Sequence, residues 1–426
     1  MANHSYASFL ASPCAGASYF SELLKPLLFL LFYYQLPSSS FRLHSNGYVA
    51  VAGTMKIIRV PATTANLGSG FDVLGLALRS APSASQGFGI FLELQVEELC
   101  QESLSSAPWN CEIICQGEGS ELLSSLVHEN LVTQVALYVL RCHGKEAFPS
   151  ATRVRLTTTI PLSRGLGSSA AAIVAGVMLG SEAGDLGLSK ERMFDYCLMV
   201  ERHPDNIAPA LFGGFIGAFM DTARIKIPLS EVLPKLSGDT DTSLLPIHKP
   251  PLAIGCYHHY QFNSDIKVII VVPTYHSETA EARSQLPHSY TREDVLFNIQ
   301  RCALLPILLG ENPLHAAKIS EAMRDRLHQP YRTNLVPGLG EVLLELRYDK
   351  YPGLLGTCLS GAGPSVVALA TQNFETIAQA IITILSEAQD VRYNWHVFEL
   401  DLDGATCNDT NQDFCHVEES ESRLVG

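Results

Sequence analysis

Between an alternating run, TRVRLTTTI (152–160), and a run of small apolar residues, SAAAIVAGVMLGSEAG (169–184), the chain reads PLSRGLGSSAA (161–171). Period-two alternation predicts a strand, and the small-residue run predicts a helix packed close to its neighbours. The connection must therefore turn a strand into a helix N-terminus with Gly165, Gly167, Ser168 and Ser169 as its main material. Glycines tolerate positive φ and close approach, and the first amides of a helix have no intrahelical acceptor, so such a bend can converge several N–H groups on one anion. The loop holds no lysine, and the chain has neither GxxxxGK[ST] nor GxGxxG. Two readings stand for the loop taken alone: a phosphate cradle, or a Gly-Ser turn that enters a packed helix and holds nothing.

The rest of the chain bounds the setting. Its 426 residues suit two or three domains at roughly 100–200 residues each, and 47% hydrophobic residues supply real cores. Formal charge is -14, from 43 acidic and 29 basic residues with no Lys/Arg cluster, which argues against a nucleic-acid partner. The 11 cysteines show no zinc spacing, since Cys111 and Cys115 are followed by no matching pair, and a reducing compartment is expected. Residues 1–54 carry an apolar stretch, Leu27 to Leu36, too short to span a bilayer. Met55 then opens MKIIRVPATTANLGSG as a second start would, so residues 1–54 are read as an extension outside the fold, with organelle targeting or membrane attachment as the other reading. Strands and helices fall in groups without steady alternation, which predicts an α+β protein. Residues 226–264 are rich in prolines and polar turns and are read as an insertion or linker between 55–225 and 265–426.

Four further segments could carry chemistry. In NLGSGFD (66–72), Asn66 and Asp72 could accept hydrogen bonds from an amine or hydroxyl, or Asp72 could cap a helix. HPDN (203–206) sets His203, Asp205 and Asn206 within one turn, either as ligands or as an Asx-type turn. Thr279 and Arg283 share a helix face, and Arg332 follows Pro330; two converging arginines would suit a carboxylate, whereas singly each reads as a surface arginine. SGAGPS (360–365) is a second glycine loop between apolar strands, closing a site or merely a hairpin.

Together PATTANLGSGFD, PLSRGLGSSAA and GTCLSGAGPS resemble the three motifs of the GHMP kinases, over about residues 55 to 400. ANLGSGFDVLGLAL, VERHPDNIAPALFGGF, ETAEAR and LHQPYR resemble the homoserine kinases within that superfamily. The resemblance implies a ribosomal-protein-S5 domain 2-like N-terminal domain with a left-handed βαβ unit, a ferredoxin-like C-terminal domain, and a cleft between them for ATP and substrate. It places Pro161, Leu162, Ser163, Arg164, Gly165, Leu166, Gly167, Ser168, Ser169 and Ala170 on the nucleotide, supported by Gly361, Ala362 and Gly363. Magnesium is expected at Ser168 and Asp195, with Glu201 as a second candidate read as structural. Asn66, Asp72, His203, Asn206, Arg283 and Arg332 are expected around L-homoserine, Asp72 on its ammonium and the arginines on its carboxylate, with Asn206, His203 and Thr279 nearest the reaction. The implied product is O-phospho-L-homoserine for threonine biosynthesis, made without a dedicated base by a cytoplasmic homodimer with no stable membrane association.

Overall fold

The computed structural model of the protein describes residues 41–43, 49–51, 54–81, 89–99, 107–117, 119–236, 245–277 and 279–411. The chain divides into two units. In the first, residues 1–55 with 410–426, the described part includes an antiparallel pair, β1 (Phe41–Leu43) with β2 (Val49–Val51). The apolar stretch Leu27–Leu36 lies outside the described residues.

The second unit, Lys56–Asp409, carries the motifs. Here KIIRV does not stop at Val60: β3 (Thr54–Ala65) runs on through PATTA, and after a tight bend β4 (Leu74–Ser80) returns antiparallel, Ala62 opposite Leu78. No helix follows Asp72, so the capping alternative falls. Next come β5 (Phe91–Leu99), β6 (Cys111–Gln116), helix α1 (Leu131–Arg141, capped by Asn130) and β7 (Ala151–Thr158). β6 pairs parallel with β7 and α1 connects them, a βαβ unit. The glycine-serine loop then leads into α2 (Ser168–Ala183), followed by α3 (Lys190–Glu201), α4 (Pro204–Phe212), β8 (Phe215–Met220) and a single turn, α5 (Leu229–Val232). Apolar faces of α1 and α2 (Val132, Val135, Val139; Ile173, Val174, Val177) are all buried in the larger core.

The C-terminal half adds β9 (Gly255–Tyr260), β10 (Lys267–Pro273), α6 (Thr279–Ser284), α7 (Arg292–Gly310), α8 (Ala316–Ala322), α9 (Gln329–Arg332), α10 (Leu339–Glu345), β11 (Leu354–Leu359), β12 (Val366–Ala370), α11 (Phe374–Ala388), β13 (Tyr393–Leu400) and β14 (Thr406–Asn411). β10 lies between β12 and β13, antiparallel to both, and α10 and α11 cover a second core built on Ile269, Val271, Leu339, Ile377 and Ile381. One sheet runs through both halves in the order β11-β12-β10-β13-β4-β3-β5-β7-β6, with β8 beside β4 and β9 beside β8. The joint is β13 on β4, Phe398 opposite Ser80.

Two expectations change. Residues 255–260, read as part of a loose insertion, form β9 on β8. GCYHHY has no apolar alternation because β9 shows much of both faces to solvent. Asp195, expected to face magnesium, is instead buried at 3% exposure and fully engaged. Its Oδ2 accepts from Arg192 Nη1 (2.8 Å) and Ala253 N (3.1 Å), and its Oδ1 from Ile254 N (2.9 Å). Arg192 also donates to Pro250 O (2.7 Å) and Pro251 O (3.0 Å). The pair thus staples residues 250–254 to α3, with both carboxylate oxygens hydrogen-bonded.

Removing one partner of such a buried pair costs about 3–5 kcal/mol. Asp195→Ala is therefore expected to lose stability on that scale in urea unfolding, while the folded fraction keeps its kcat. Full stability with lost activity would return Asp195 to the metal.

Candidate active site

Three glycine loops meet at one end of the sheet, and hydrogen bonds set their spacing. Ser360 Oγ donates to Gly165 O (2.6 Å) in the loop before α2. Because a hydroxyl has one proton, Thr64 Oγ1 at 2.8 Å must be the donor in its bond to Ser360 Oγ. Gly361 N donates to Ala65 O (2.9 Å), and Asn66 Nδ2 donates to Gly361 O (2.8 Å). Asn66 Oδ1 accepts from Asp72 N (2.8 Å), closing the β3–β4 bend. Gly165 and Gly167 both adopt positive φ (76° and 69°), and a Cβ there would fall on Ser360 O or on Thr63 Oγ1. Those two positions require glycine sterically as well as conformationally.

The resulting cleft, about 120 Å³, is lined at its floor by Gly165, Gly167, Ser168, Ser169 and Ala170. Gly167 occupies the N-cap of α2, so the amides of Ser168, Ser169 and Ala170 open its first turn without intrahelical acceptors. This is a site for an anion, supported by the dipole of a 16-residue helix. Ser163, Gly361 and Ala362 complete that wall. The remaining loop residues do other work. Arg164 turns away to donate to Thr274 O (2.8 Å) and Tyr275 O (3.2 Å), and Leu166 is buried in the core. Pro161 and Leu162 do not line the cleft either, nor does Gly363, which packs behind Gly165.

The opposite wall comes from the end of α3 and the start of α4. Glu201 lines the cleft and accepts from Ser169 Oγ (3.3 Å). Burial pushes its carboxyl up to about 7, against smaller opposing effects from Ser169 and Arg283. Asp205, 3% exposed, is likewise raised to about 7, by burial first and then by Asp72. His203 is lowered by burial and by Arg283, so it is neutral at pH 7. Asn206 Oδ1 accepts from Thr63 Oγ1 (2.8 Å), which leaves its amide N–H₂ to a ligand. Among the described residues no group of three or more His, Cys, Asp or Glu could hold a metal by itself. Glu201 fits a cation that takes its other ligands from a bound anion: it is a half-buried carboxylate lining the cleft with one hydroxyl partner, and a cation would offset its desolvation.

The arginines close the site. Arg283, on α6, donates to Asp72 through Nη2 (2.8 Å) and Nη1 (3.4 Å). Asp72 and Arg283 thus pair with each other here. Arg332, on α9, is 1% exposed yet lines the cleft, anchored by Nε to Ala282 O (3.2 Å) and Nη1 to Gly361 O (3.3 Å). Burial, and then Arg283, lower its guanidinium to about 10, so it stays charged at neutral pH. Thr279 opens the helix that carries Arg283, and its side chain lies outside the described residues.

The structure therefore gathers Asn66, His203, Asn206, Arg283, Arg332 and the helix-proximal half of the glycine-serine loop around one cleft, with Asp72 reaching it through Arg283. Glu201 lines that cleft and Asp195 does not. Sequence reasoning passed over Thr63.

Residues 130–214 match the family model described as the GHMP kinases N terminal domain. The homoserine kinase of Saccharomyces cerevisiae is 46% identical over 359 residues, 82% of this chain and 97% of that protein. The homoserine kinase of Schizosaccharomyces pombe is 44% identical over 352 residues, with the same coverage. Among solved structures, homoserine kinase from Cytophaga hutchinsonii aligns with a TM-score of 0.59 at 23% identity, covering 83% of this chain and 97% of that one, which supports the fold. Taken with three glycine loops converging on a helix N-terminus, these likenesses make the chain a member of the homoserine kinase family of GHMP kinases.

Proposed function

We propose that the chain transfers the γ-phosphoryl group of ATP to the side-chain hydroxyl of L-homoserine, giving O-phospho-L-homoserine and ADP, a step toward threonine. The observation that carries this reading is one cleft lined together by the open end of α2, Glu201, Arg283 and Arg332. Phosphoryl transfer asks a protein mainly for placement and charge stabilisation. The amides of Ser168, Ser169 and Ala170 bind the β- and γ-phosphates. Glu201, Ser168 and Ser169 would hold Mg²⁺, which would neutralise phosphate charge. The amino acid enters between Asp72 and Arg283: its ammonium replaces the guanidinium on Asp72, and its carboxylate takes Arg283 and Nη2 of Arg332. Neutral His203 and the Asn206 amide orient the hydroxyl, whose proton passes to the transferred phosphate. Following the sequence resemblance, the enzyme is taken to be a cytoplasmic homodimer. Among the described residues no helix is long and apolar enough to cross a membrane.

Release of ADP, followed with a coupling enzyme, should accelerate with L-homoserine far more than with L-serine, L-threonine or mevalonate. Preference for mevalonate would assign the chain to a different alcohol. Asn206→Ala should raise KM for homoserine about tenfold or more and change kcat less; unchanged KM with kcat down more than about a thousandfold would make Asn206 a transition-state group instead.

Glu201→Gln should lower kcat/KM by about 10²–10³, the scale of removing one preorganised charge-stabilising group. Its effect on the empty protein runs the other way. Native Glu201 holds its proton more tightly than in the unfolded chain, so its destabilising contribution is absent below about 4.5, grows through about 7 and is complete above. At pH 8 without Mg²⁺ and nucleotide, the Gln variant should thus be more stable than the parent in urea by about 1–3 kcal/mol. Activity of the parent should fall as pH drops through 7, and added Mg²⁺ should move that limb to lower pH, because the cation competes with the proton.

A further inference from the structure

One buried side chain beside the cleft has no part in the reading above. His328 stands at the N-cap of α9, four residues before Arg332, with 0% exposure. Its Nδ1 lies 3.0 Å from Arg332 Nη1. An arginine can only donate, so Nδ1 is the acceptor and the proton of the neutral ring sits on Nε2. The protonated Nε2 lies beside the Gly68 carbonyl, which favours its proton, and 3.7 Å from Asp325 Oδ2. The ring stacks on Phe71, centroids 5.0 Å apart and planes 19° apart, and the Arg332 guanidinium sits 5.6 Å from the same Phe71 ring.

Asp325 fixes the other end. Its carboxylate accepts from Leu327 N (3.0 Å), His328 N (3.0 Å), Gln329 N (2.8 Å) and Asn298 Nδ2 (2.7 Å). The backbone of the single turn that carries both His328 and Arg332 is thereby pinned. A four-residue helix has little stability of its own, so these bonds decide where the guanidinium points. Burial, opposed by Asp325 and reinforced by Arg332, holds the ring down to about 4, so it remains an acceptor at any pH at which the enzyme would be assayed.

We propose that His328 is a positioning residue: held as its Nε2–H tautomer between Phe71 and Asp325, it orients Arg332 for the carboxylate of the amino-acid substrate. The three acceptors Ala282 O, His328 Nδ1 and Gly361 O engage Nε and Nη1 of Arg332 and leave Nη2 for a ligand. Of the three, only His328 contributes through a side chain and can be altered without touching the backbone. The inference rests on the reading that Arg332 binds that carboxylate.

The test separates the two. His328→Leu removes the acceptor and keeps an apolar filling; His328→Asn keeps an acceptor, Oδ1, where Nδ1 was. His328→Leu should raise KM for L-homoserine by roughly 10- to 100-fold, the worth of a hydrogen bond to a charged group, while kcat and KM for ATP change less than about threefold. His328→Asn should recover most of that loss. Arg332→Ala is the control for the underlying reading: if it leaves KM for homoserine unchanged, Arg332 does not bind the carboxylate and the account of the site fails first. If Arg332→Ala raises KM but His328→Leu does not, or if the Asn variant is as impaired as the Leu variant, His328 only fills space and the proposal is wrong. Should His328→Leu fail to fold, the parent protein still decides: long-range ¹⁵N–¹H correlation spectra must show His328 with a bare Nδ1 and a protonated Nε2. The opposite tautomer overturns the proposal.

Discussion

Ser360 and Gly361 are the joint on which the site depends. From two adjacent residues the β11–β12 loop bonds to Gly165 in the loop before α2, to Thr64 and Ala65 at the end of β3, and through Gly361 O to Asn66 and Arg332. Each of the three glycine loops is short of side chains, so none could fix its own geometry. Backbone-to-backbone approach sets their positions instead, which is why a Cβ at Gly165 or Gly167 has nowhere to go. The joint itself rests on the sheet: β3 and β11 can face each other across the site only because β13 pairs with β4 and carries one sheet through both halves.

Electrostatics then decide what the joined loops can hold. Glu201 is half-buried and Asp205 buried, and both are raised; Arg332 is buried and lowered, and Asp72 pairs with Arg283. Such strain at a binding site trades stability for function, and the staple of Arg192 and Asp195, the Asp325 cap and the two apolar cores lie outside the cleft, where they stabilise the fold without serving the chemistry.

Much of this was legible in the residues. The alternation of 152–160 and the small-residue helix after it stand where periodicity puts them. The motif resemblance located both arginines and the HPDN turn. The misassigned carboxylate has a clear cause. Asp195 and Glu201 are six residues apart on α3, hence about 120° apart around the helix. Met193 to Val200 are all buried, so no polar face betrays which side meets the cleft. What holds Asp195 is the backbone of 253 and 254, in a stretch without periodicity that was read as loose. β9 was missed for the same reason. The extension of β3 through PATTA was hidden by proline and small polar residues, which signal a loop locally and were overruled by pairing with β4 and β5. The tautomer of His328 was out of reach, since LHQPYR shows the four-residue spacing but not the burial that gives it meaning.

The central claim is spatial: a nucleotide's phosphates on the amides of α2, and an amino acid between Asp72 and the two arginines. A crystal structure with a non-hydrolysable ATP analogue, Mg²⁺ and L-homoserine tests it most directly. The account expects the phosphates within hydrogen-bonding distance of the Ser168–Ala170 amides, the Asp72–Arg283 pair opened, and the homoserine carboxylate on Arg283 and Arg332. Phosphates bound elsewhere, or an intact Asp72–Arg283 pair with homoserine present, would contradict it.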